Sequence, residues 1–424
     1  MSSFMLIAMV VLFGLGVPIA IAIAASAIGG IVFFTPLPLL VAAQKLMTSI
    51  DSFPLMAVPF FILAGNLMEA AGISGRLVEF AKTVVGGVRG GLACSCVLTC
   101  MIFASVSGSS VATTFAIGAI LIPAMTRHGY PTSFAAALQA TSAELGVIIP
   151  PSIPLILYGV SAEVSIGDLF VAGFGPGLLI GSALMLFVYV YCRIKGWGTN
   201  DHVGRLGLWP AVKQASLALL MPVIIIGGIY QGVFTPTEAS VVAVFYALII
   251  GVFVYRTIGM ADLVVVLRRS VLSSAVIMFI IAAAGLFSFL ITRAGVPATV
   301  GDWLGTVMES KAAFLLAVNV ILFVVGMFIE TSAAIIVLAP ILAPVAIAFG
   351  VDPIHFGLVM VVNLALGMIT PPLGVNLFAA CQVAGIPLQQ VIPKLVPFVL
   401  VCLACLMIIT YVPAISIGLL PFLK

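Results

Sequence analysis

Gly146-Val-Ile-Ile-Pro-Pro151 and Gly367-Met-Ile-Thr-Pro-Pro372 are two copies of one motif, 221 residues apart from Pro150 to Pro371. Each is set in an apolar segment. Two consecutive prolines there remove backbone donors and break any helix. Broken helices in corresponding positions of two halves point to a binding site at the depth where they meet. Transport is therefore the leading expectation.

Composition supplies the solvent. The chain has 424 residues, of which 63% are hydrophobic and 7% charged. A soluble domain carries roughly 25% charged residues, so this one is expected to dissolve in lipid. At about 20 residues per span, the apolar segments allow roughly ten to twelve crossings plus re-entrant pieces. The net charge of +3 is scattered and gives no basic patch for nucleic acid. Met1 to Phe34 has no basic leader region and reads as a retained first span. Cys94, Cys96 and Cys100 cluster, but no His or carboxylate stands beside them, and they read as small packing residues rather than metal ligands. No nucleophile–base set and no phosphate loop appears, so a membrane enzyme is disfavoured. No cofactor is expected.

The repeat extends well beyond the proline pairs. At the same offset Ala112 meets Ala333, Ile120 meets Ile341, Pro123 meets Pro344 and Gly129 meets Gly350, and ten identities fall within residues 112–151. Each unit reads as a helix, a break (Ser105–Ser110 or Gly326–Ser332), a returning helix, a turn at Gly129 or Gly350, and a helix broken at Pro-Pro. Mid-segment breaks suggest re-entrant hairpins, because irregular backbone at that depth survives only against protein or a wet cavity. The expected divisions are N-terminal scaffold or arm helices (1–70), a first transport repeat (71–200), connecting scaffold helices (201–292), a second transport repeat (293–392) and a C-terminal helix (393–424). Arg193, Lys195, Arg205 and Lys213 form one basic cluster; Arg256, Arg268 and Arg269 form another. Two apolar stretches separate them, so both clusters fit the cytoplasmic side. The loop with Arg76, Lys82 and Arg89 is basic. Its counterpart, with Arg293, Asp302, Glu309 and Lys311, is balanced in sign, which favours an inverted repeat.

The breaks carry the candidate site. Four hydroxyls occupy the six positions from Ser105 to Ser110 with no charge among them. Short hydroxyls and free carbonyls suit a monovalent cation, whereas a divalent ion wants more carboxylates. Two related sodium sites are expected: Ser105, Ser107, Gly146 and Ile149 at the first, Gly326, Gly367 and Thr370 at the second. Ordinary capping of half-helices is the competing reading for each hydroxyl. Half-helix N-termini facing one point suit an anionic substrate, with Ser107, Ser152, Glu330 and Asn376 as candidate contacts. Neither repeat core contains an arginine to clamp a carboxylate. Glu330 reads equally as lining a hydrated path or as satisfied by helix N-terminal amides. Glu144 reads as a water-exposed or capped carboxylate.

The strings SGSSVATTFAIGAILIPAM (107–125), IIPPSIPLILYGV (148–160), GIYQGVFTPTEAS (228–240) and FGLVMVVNLALGMITPPLGVNLF (356–378) resemble the large membrane subunit of tripartite ATP-independent periplasmic (TRAP) transporters. The likeness covers essentially the whole chain. It implies an all-α polytopic protein of the elevator-type ion-transporter superfamily in a bacterial inner membrane. It also implies sodium-coupled uptake of a carboxylate such as a C4-dicarboxylate, sialic acid or another sugar acid. Two partners are implied: a small four-helix membrane subunit and a periplasmic solute-binding protein. A related sodium/anion symporter working without a binding protein remains the alternative. Family members often have Asp where Glu330 stands.

Overall fold

The computed structural model describes residues 1–198, 207–308 and 310–423, and among them every regular element is a helix. His202, Arg205 and Glu309 lie outside the described residues. The chain opens with α1 (Ser2–Gly14) and α2 (Ile19–Phe34). Between them Gly16 takes a left-handed φ of 78° and Pro18 starts the next helix. The Phe4 ring meets Phe33 and Phe34, so the start of α1 lies beside the end of α2. The single first span expected over Met1 to Phe34 is therefore a pair of short packed helices. A glycine and a proline interrupt what hydropathy alone reads as one run. There follow α3 (Leu40–Thr48), a 3-10 turn (Phe53–Met56) and α4 (Ala57–Ala70).

The first repeat contains α5 (Ile73–Val85), α6 (Gly91–Ser107), α7 (Ser110–Arg127), α8 (Thr132–Ala143), α9 (Leu145–Ile148), α10 (Ile153–Ser161) and the long α11 (Ile166–Lys195). Three helices connect it to the second: α12 (Leu208–Tyr230), α13 (Pro236–Leu248) with its π-helical continuation (Ile249–Val254), and α14 (Met260–Arg293). The second repeat then runs through α15 (Val296–Val307), α16 (Lys311–Gly326), α17 (Thr331–Ala348), α18 (Pro353–Met368), α19 (Val375–Ala384) and α20 (Leu388–Tyr411). Element by element, α15 to α20 repeat α5 to α11, with α18 in place of α8 and α9. Both Pro-Pro bonds are cis.

The repeats interlock. The half-helix after the first break, α10, packs on α17 of the other unit, and α19 packs reciprocally on α7. The long helices do the same: α11 lies on α18 and α20 on α8. Exchange of equivalent contacts between two units is what a pseudo-two-fold axis requires. Outside this body, α4 packs on α13 and α14, and α2 on α14.

Among the described residues, eight helices are long and apolar enough to cross a membrane, or nine if the pair bent by 43° at the first Pro-Pro counts as one span. That is fewer than the ten to twelve expected. The apolar residues are spent instead on short helices such as α1 and α2 and on the breaks. Three of the crossing helices, α12, α13 with its continuation, and α14, separate the repeats. With α6–α7 a re-entrant hairpin, the bent pair and α11 add two crossings to these three, and five crossings between the two repeat starts put them on opposite sides, so the repeat is inverted. Cysteines substituted for Arg89 and Arg293, both exposed, in a background lacking the seven native cysteines, should then react with an impermeant maleimide from opposite faces. Reaction from one face would refute the inversion.

The Thr235-Pro-Thr-Glu238 turn gains a local explanation. The Thr235 hydroxyl accepts from the Glu238 amide at 3.3 Å, and Glu238 Oε2 accepts from the Thr235 amide at 2.8 Å. This is a capping box that starts α13. Thr237 donates to the Phe53 carbonyl at 3.2 Å, tying the turn to the segment leading into α4.

Candidate functional site

At the first break, Pro150 and Pro151 lack the N–H groups that would bond the Gly146 and Val147 carbonyls. The Val147 carbonyl is taken instead by the Ser152 hydroxyl, which also caps α10 by accepting from the Leu155 amide at 3.4 Å. Ser152 is fully buried, and its hydroxyl is committed to this local repair. The hairpin tip docks onto the break. A Cβ at Gly108, whose φ is +61°, would lie 2.8 Å from the Pro151 carbonyl oxygen, so only glycine lets the tip approach so closely. Ser107 Oγ lies 3.0 Å from Thr113 Oγ1, which donates to the Ser109 carbonyl at 2.8 Å. A Cβ on Gly146 would meet that same carbonyl oxygen at 2.8 Å and Thr113 Oγ1 at 2.9 Å. Ser107, Thr113, the Ser109 carbonyl and Gly146 thus gather at one point. Ser105, half a turn back, donates to the Ile102 carbonyl at 2.6 Å, and Ile149 takes extended backbone just before the prolines.

At the second break the approach is closer still. A Cβ on Gly367 would fall 2.3 Å from the Gly326 carbonyl carbon and 2.4 Å from its Cα. Here α16 and α18 cross backbone against backbone. The Leu373 amide donates to the Met327 carbonyl at 3.2 Å, so this hairpin tip also docks onto its break. Thr370 donates its hydroxyl to the Leu366 carbonyl at 2.9 Å. Glu330 caps α17, accepting from the Ser332 amide at 2.9 Å, the Ala333 amide at 3.2 Å and the Ser332 hydroxyl at 2.9 Å. Of the two readings of this carboxylate, binding to helix N-terminal amides is observed. It also lines a cavity.

That cavity, about 690 Å³, lies between α4 and α14 on one side and the first hairpin tip on the other. Ser107, Ser109 and Glu330 face it from the repeats; Asn66 and Glu69 of α4 and Arg269 of α14 face it from the other side. Ser107 and Glu330 are thereby brought together. Ser152 and Asn376 are fully buried and are not among the lining residues. Arg269 was grouped in sequence with a basic loop, but it lies nearly three turns inside α14. The only available sign was its place in an apolar segment long enough to continue past it.

Glu144 is not a water-exposed or amide-capped carboxylate. It is 2% exposed, and its Oε1 accepts a short hydrogen bond from Asn376 Nδ2 of the other repeat. Its residence at the junction of α8 and α9, opposite α19, puts it where the two units interlock. Sequence separation of 232 residues hid the partnership.

The match to known proteins settles what kind of molecule this is. A family model, described as tripartite ATP-independent periplasmic transporter, DctM component, covers residues 6–415. The chain belongs to that family. As a DctM-family chain it is a multi-pass membrane transport protein and not an enzyme. It is 43% identical over 389 residues to the C4-dicarboxylate TRAP transporter large permease protein DctM of Pseudomonas aeruginosa, covering 92% of this chain and 91% of that one. It is 40% identical over 364 residues, 85% of each, to the sialic acid TRAP transporter large permease protein SiaM of Vibrio cholerae. It is 46% identical over 401 residues to the isethionate TRAP transporter permease protein DctMQ of Oleidesulfovibrio alaskensis, covering 94% of this chain but only 63% of that longer protein. The architecture matches the crystal structure of the YdaH transporter of Alcanivorax borkumensis with a TM-score of 0.65 at 14% identity, over 90% of this chain and 89% of that one. That is a likeness of fold alone.

Proposed function

We propose that this DctM-family chain takes up an organic anion across the bacterial inner membrane by coupling it to sodium, with the interlocked repeats moving as an elevator against the connecting helices. The observation that carries this reading is the cavity shared by the first hairpin tip, Glu330 and the α4–α14 wall. Relatives named for C4-dicarboxylates, sialic acid and isethionate all handle organic acids, which supports an acid as cargo. The cavity's own charge supports sodium. Its lining contains one cation, Arg269, against two carboxylates, Glu69 and Glu330, so an acid entering alone meets net negative charge. Cations at the breaks offset it. The first would use Ser105, Ser107, Gly146 and Ile149; the second would use Gly326, Gly367 and Thr370. Ser107 both lines the cavity and touches the first cluster, which links the two ligands through one side chain. Ser152 and Asn376 act through the backbone and Glu144 rather than by touching the acid.

The partners proposed are a small four-helix membrane subunit and a periplasmic solute-binding protein. A permease fused under the name DctMQ supports the first. Many exposed apolar side chains on the connecting helices, such as Trp209, Val223 and Phe253, face lipid or that subunit. Reconstituted with both partners, the chain should accumulate the acid on an inward sodium gradient. Replacing external sodium by potassium should abolish uptake, and unchanged uptake would overturn the coupling. Leaving out the binding protein should also abolish it; persistent uptake would favour the binding-protein-independent symporter. Ser107→Ala and Thr370→Ala should each raise the sodium concentration giving half-maximal rate by about threefold to tenfold, the loss of one modest hydrogen-bonding ligand. An unchanged sodium dependence in both would remove these side chains from the sites.

A further inference from the structure

We propose that Arg269 is the cationic anchor for the acid's anionic group on the α14 wall, and that Glu69 occupies it as a resident competitor until the acid arrives. This rests on the functional reading above and deepens it. Arg269 Nη1 and Glu69 Oε2 lie 3.6 Å apart, with the arginine side chain 54% exposed and the glutamate 26% exposed. That separation is beyond a good hydrogen bond, and a pair so exposed is held weakly. Arginine's planar fork matches a carboxylate in two bonds, and here that capacity is unused. Among the described residues, Arg269 is the one cation lining the cavity.

The pair is within reach of the site. Gly65 on α4 backs directly onto the first hairpin tip, where an added Cβ would lie 3.3 Å from Ser107 Cα. Glu69 is four residues on, about one helical turn or 6 Å along the same face. An acid lodged at Ser107 can therefore extend its anionic end to Arg269. Nor do α4 and α14 depend on the ion pair for their packing. Next to it, Asn66 Nδ2 donates to Ser270 Oγ at 2.8 Å, and Ser270 donates to the Val266 carbonyl at 2.8 Å. That uncharged tie fixes the two helices and leaves Arg269 and Glu69 free to separate. Beyond Arg269, the wall continues through Leu272, Val276 and Ile280. It is charged at one end and apolar toward the other, as suits a small acid with one polar end held and its body passing on.

The competitor arrangement predicts effects of opposite sign. In proteoliposomes holding the permease, its small subunit and its binding protein, uptake of radiolabelled succinate, isethionate and N-acetylneuraminate is measured on a sodium gradient. For whichever acid the wild type carries, Arg269→Gln should raise KM by about tenfold with the maximal rate within about twofold, the pattern of lost uniform binding. Arg269→Lys should fall between, and Glu69→Gln should lower KM by about threefold by removing the competitor. Melting of each purified variant should match wild type, because the Asn66–Ser270 tie remains. If both Arg269→Gln and Glu69→Gln shift KM in the same direction, or only lower the melting temperature, the pair is a scaffold strut and the proposal fails. If the wild type carries none of the three acids although its binding protein holds one of them, the functional reading fails first and takes this assignment with it.

Discussion

Gly367→Ala is expected to abolish uptake and to lower the melting temperature of the purified protein sharply, while Gly227→Ala does neither. The argument is steric. A Cβ at 367 would stand 2.3 Å from the Gly326 carbonyl carbon, 2.4 Å from its Cα and 2.8 Å from the Met327 amide nitrogen. Those are all backbone atoms, so no side-chain rotation relieves the clash, and α16 and α18 must separate. Overpacking a core typically costs about 1–3 kcal/mol where side chains can give way; here the cost belongs at or above the top of that range. The displaced segment is the second hairpin tip with its break, which holds Gly326, Gly367 and Thr370, the residues proposed above for the second cation, so uptake should be lost together with stability. Gly227, in the last turn of α12, has nothing within 4 Å of an added Cβ, and alanine there should stabilise the helix by up to about 1 kcal/mol. The comparison needs thermal melting and sodium-driven uptake on the same preparations. Wild-type behaviour of Gly367→Ala in both would contradict a backbone-to-backbone crossing of α16 and α18.

What was readable in the sequence follows from how local each signal is. The Pro-Pro breaks, the tips at Gly108 and before Glu330, and the turns at Gly129 and Gly350 are backbone events encoded by the residues at the spot. The repeat then doubled each signal. The proximity of Gly326 to Gly367, 41 residues apart, was inferable because one opens the hairpin break and the other the Pro-Pro break of the same repeat, as Ser105 and Gly146 do in the first copy. Partnerships between repeats were not. Glu144 meets Asn376 only because α8 and α9 of one unit face α19 of the other, and nothing near either residue announces it. Ser152, well placed in sequence to meet a ligand, turns instead to the Val147 carbonyl that Pro151 leaves without a donor. Arg269 was hidden for another reason. Its neighbours Arg256 and Arg268 make it look like part of a cytoplasmic loop, and only the 34-residue length of α14 carries it into the wall of the cavity. The paired helices at the N-terminus were lost to hydropathy averaging, which passes over the four-residue interruption that contains Gly16 and Pro18.

Glu144 supports the second large expected effect. Its Oε1 accepts from Asn376 Nδ2, while Glu144 Oε2 and Asn376 Oδ1 have no hydrogen-bond partner among the described residues. Both side chains are essentially fully buried. Removing one partner of such a pair leaves a buried amide unsatisfied and a void beside it. Glu144→Ala should therefore cost about 2–5 kcal/mol, the sum of an orphaned polar group and a small cavity. Glu144→Gln should behave in the opposite way. An amide at this position presents one acceptor to Asn376 Nδ2 and one NH2 that can donate to Asn376 Oδ1, so a single bond becomes a reciprocal pair and both unpaired oxygens disappear. The amide variant should melt at or above the wild-type temperature, and its transport then reports on the carboxyl group apart from folding. Wild-type uptake by Glu144→Gln would assign the residue to joining the repeats. Abolished uptake with an undiminished melting temperature would mean that the carboxyl itself takes part in the cycle, where Glu144 of one repeat meets Asn376 of the other. A Glu144→Gln protein less stable than Glu144→Ala would contradict the pairing argument outright.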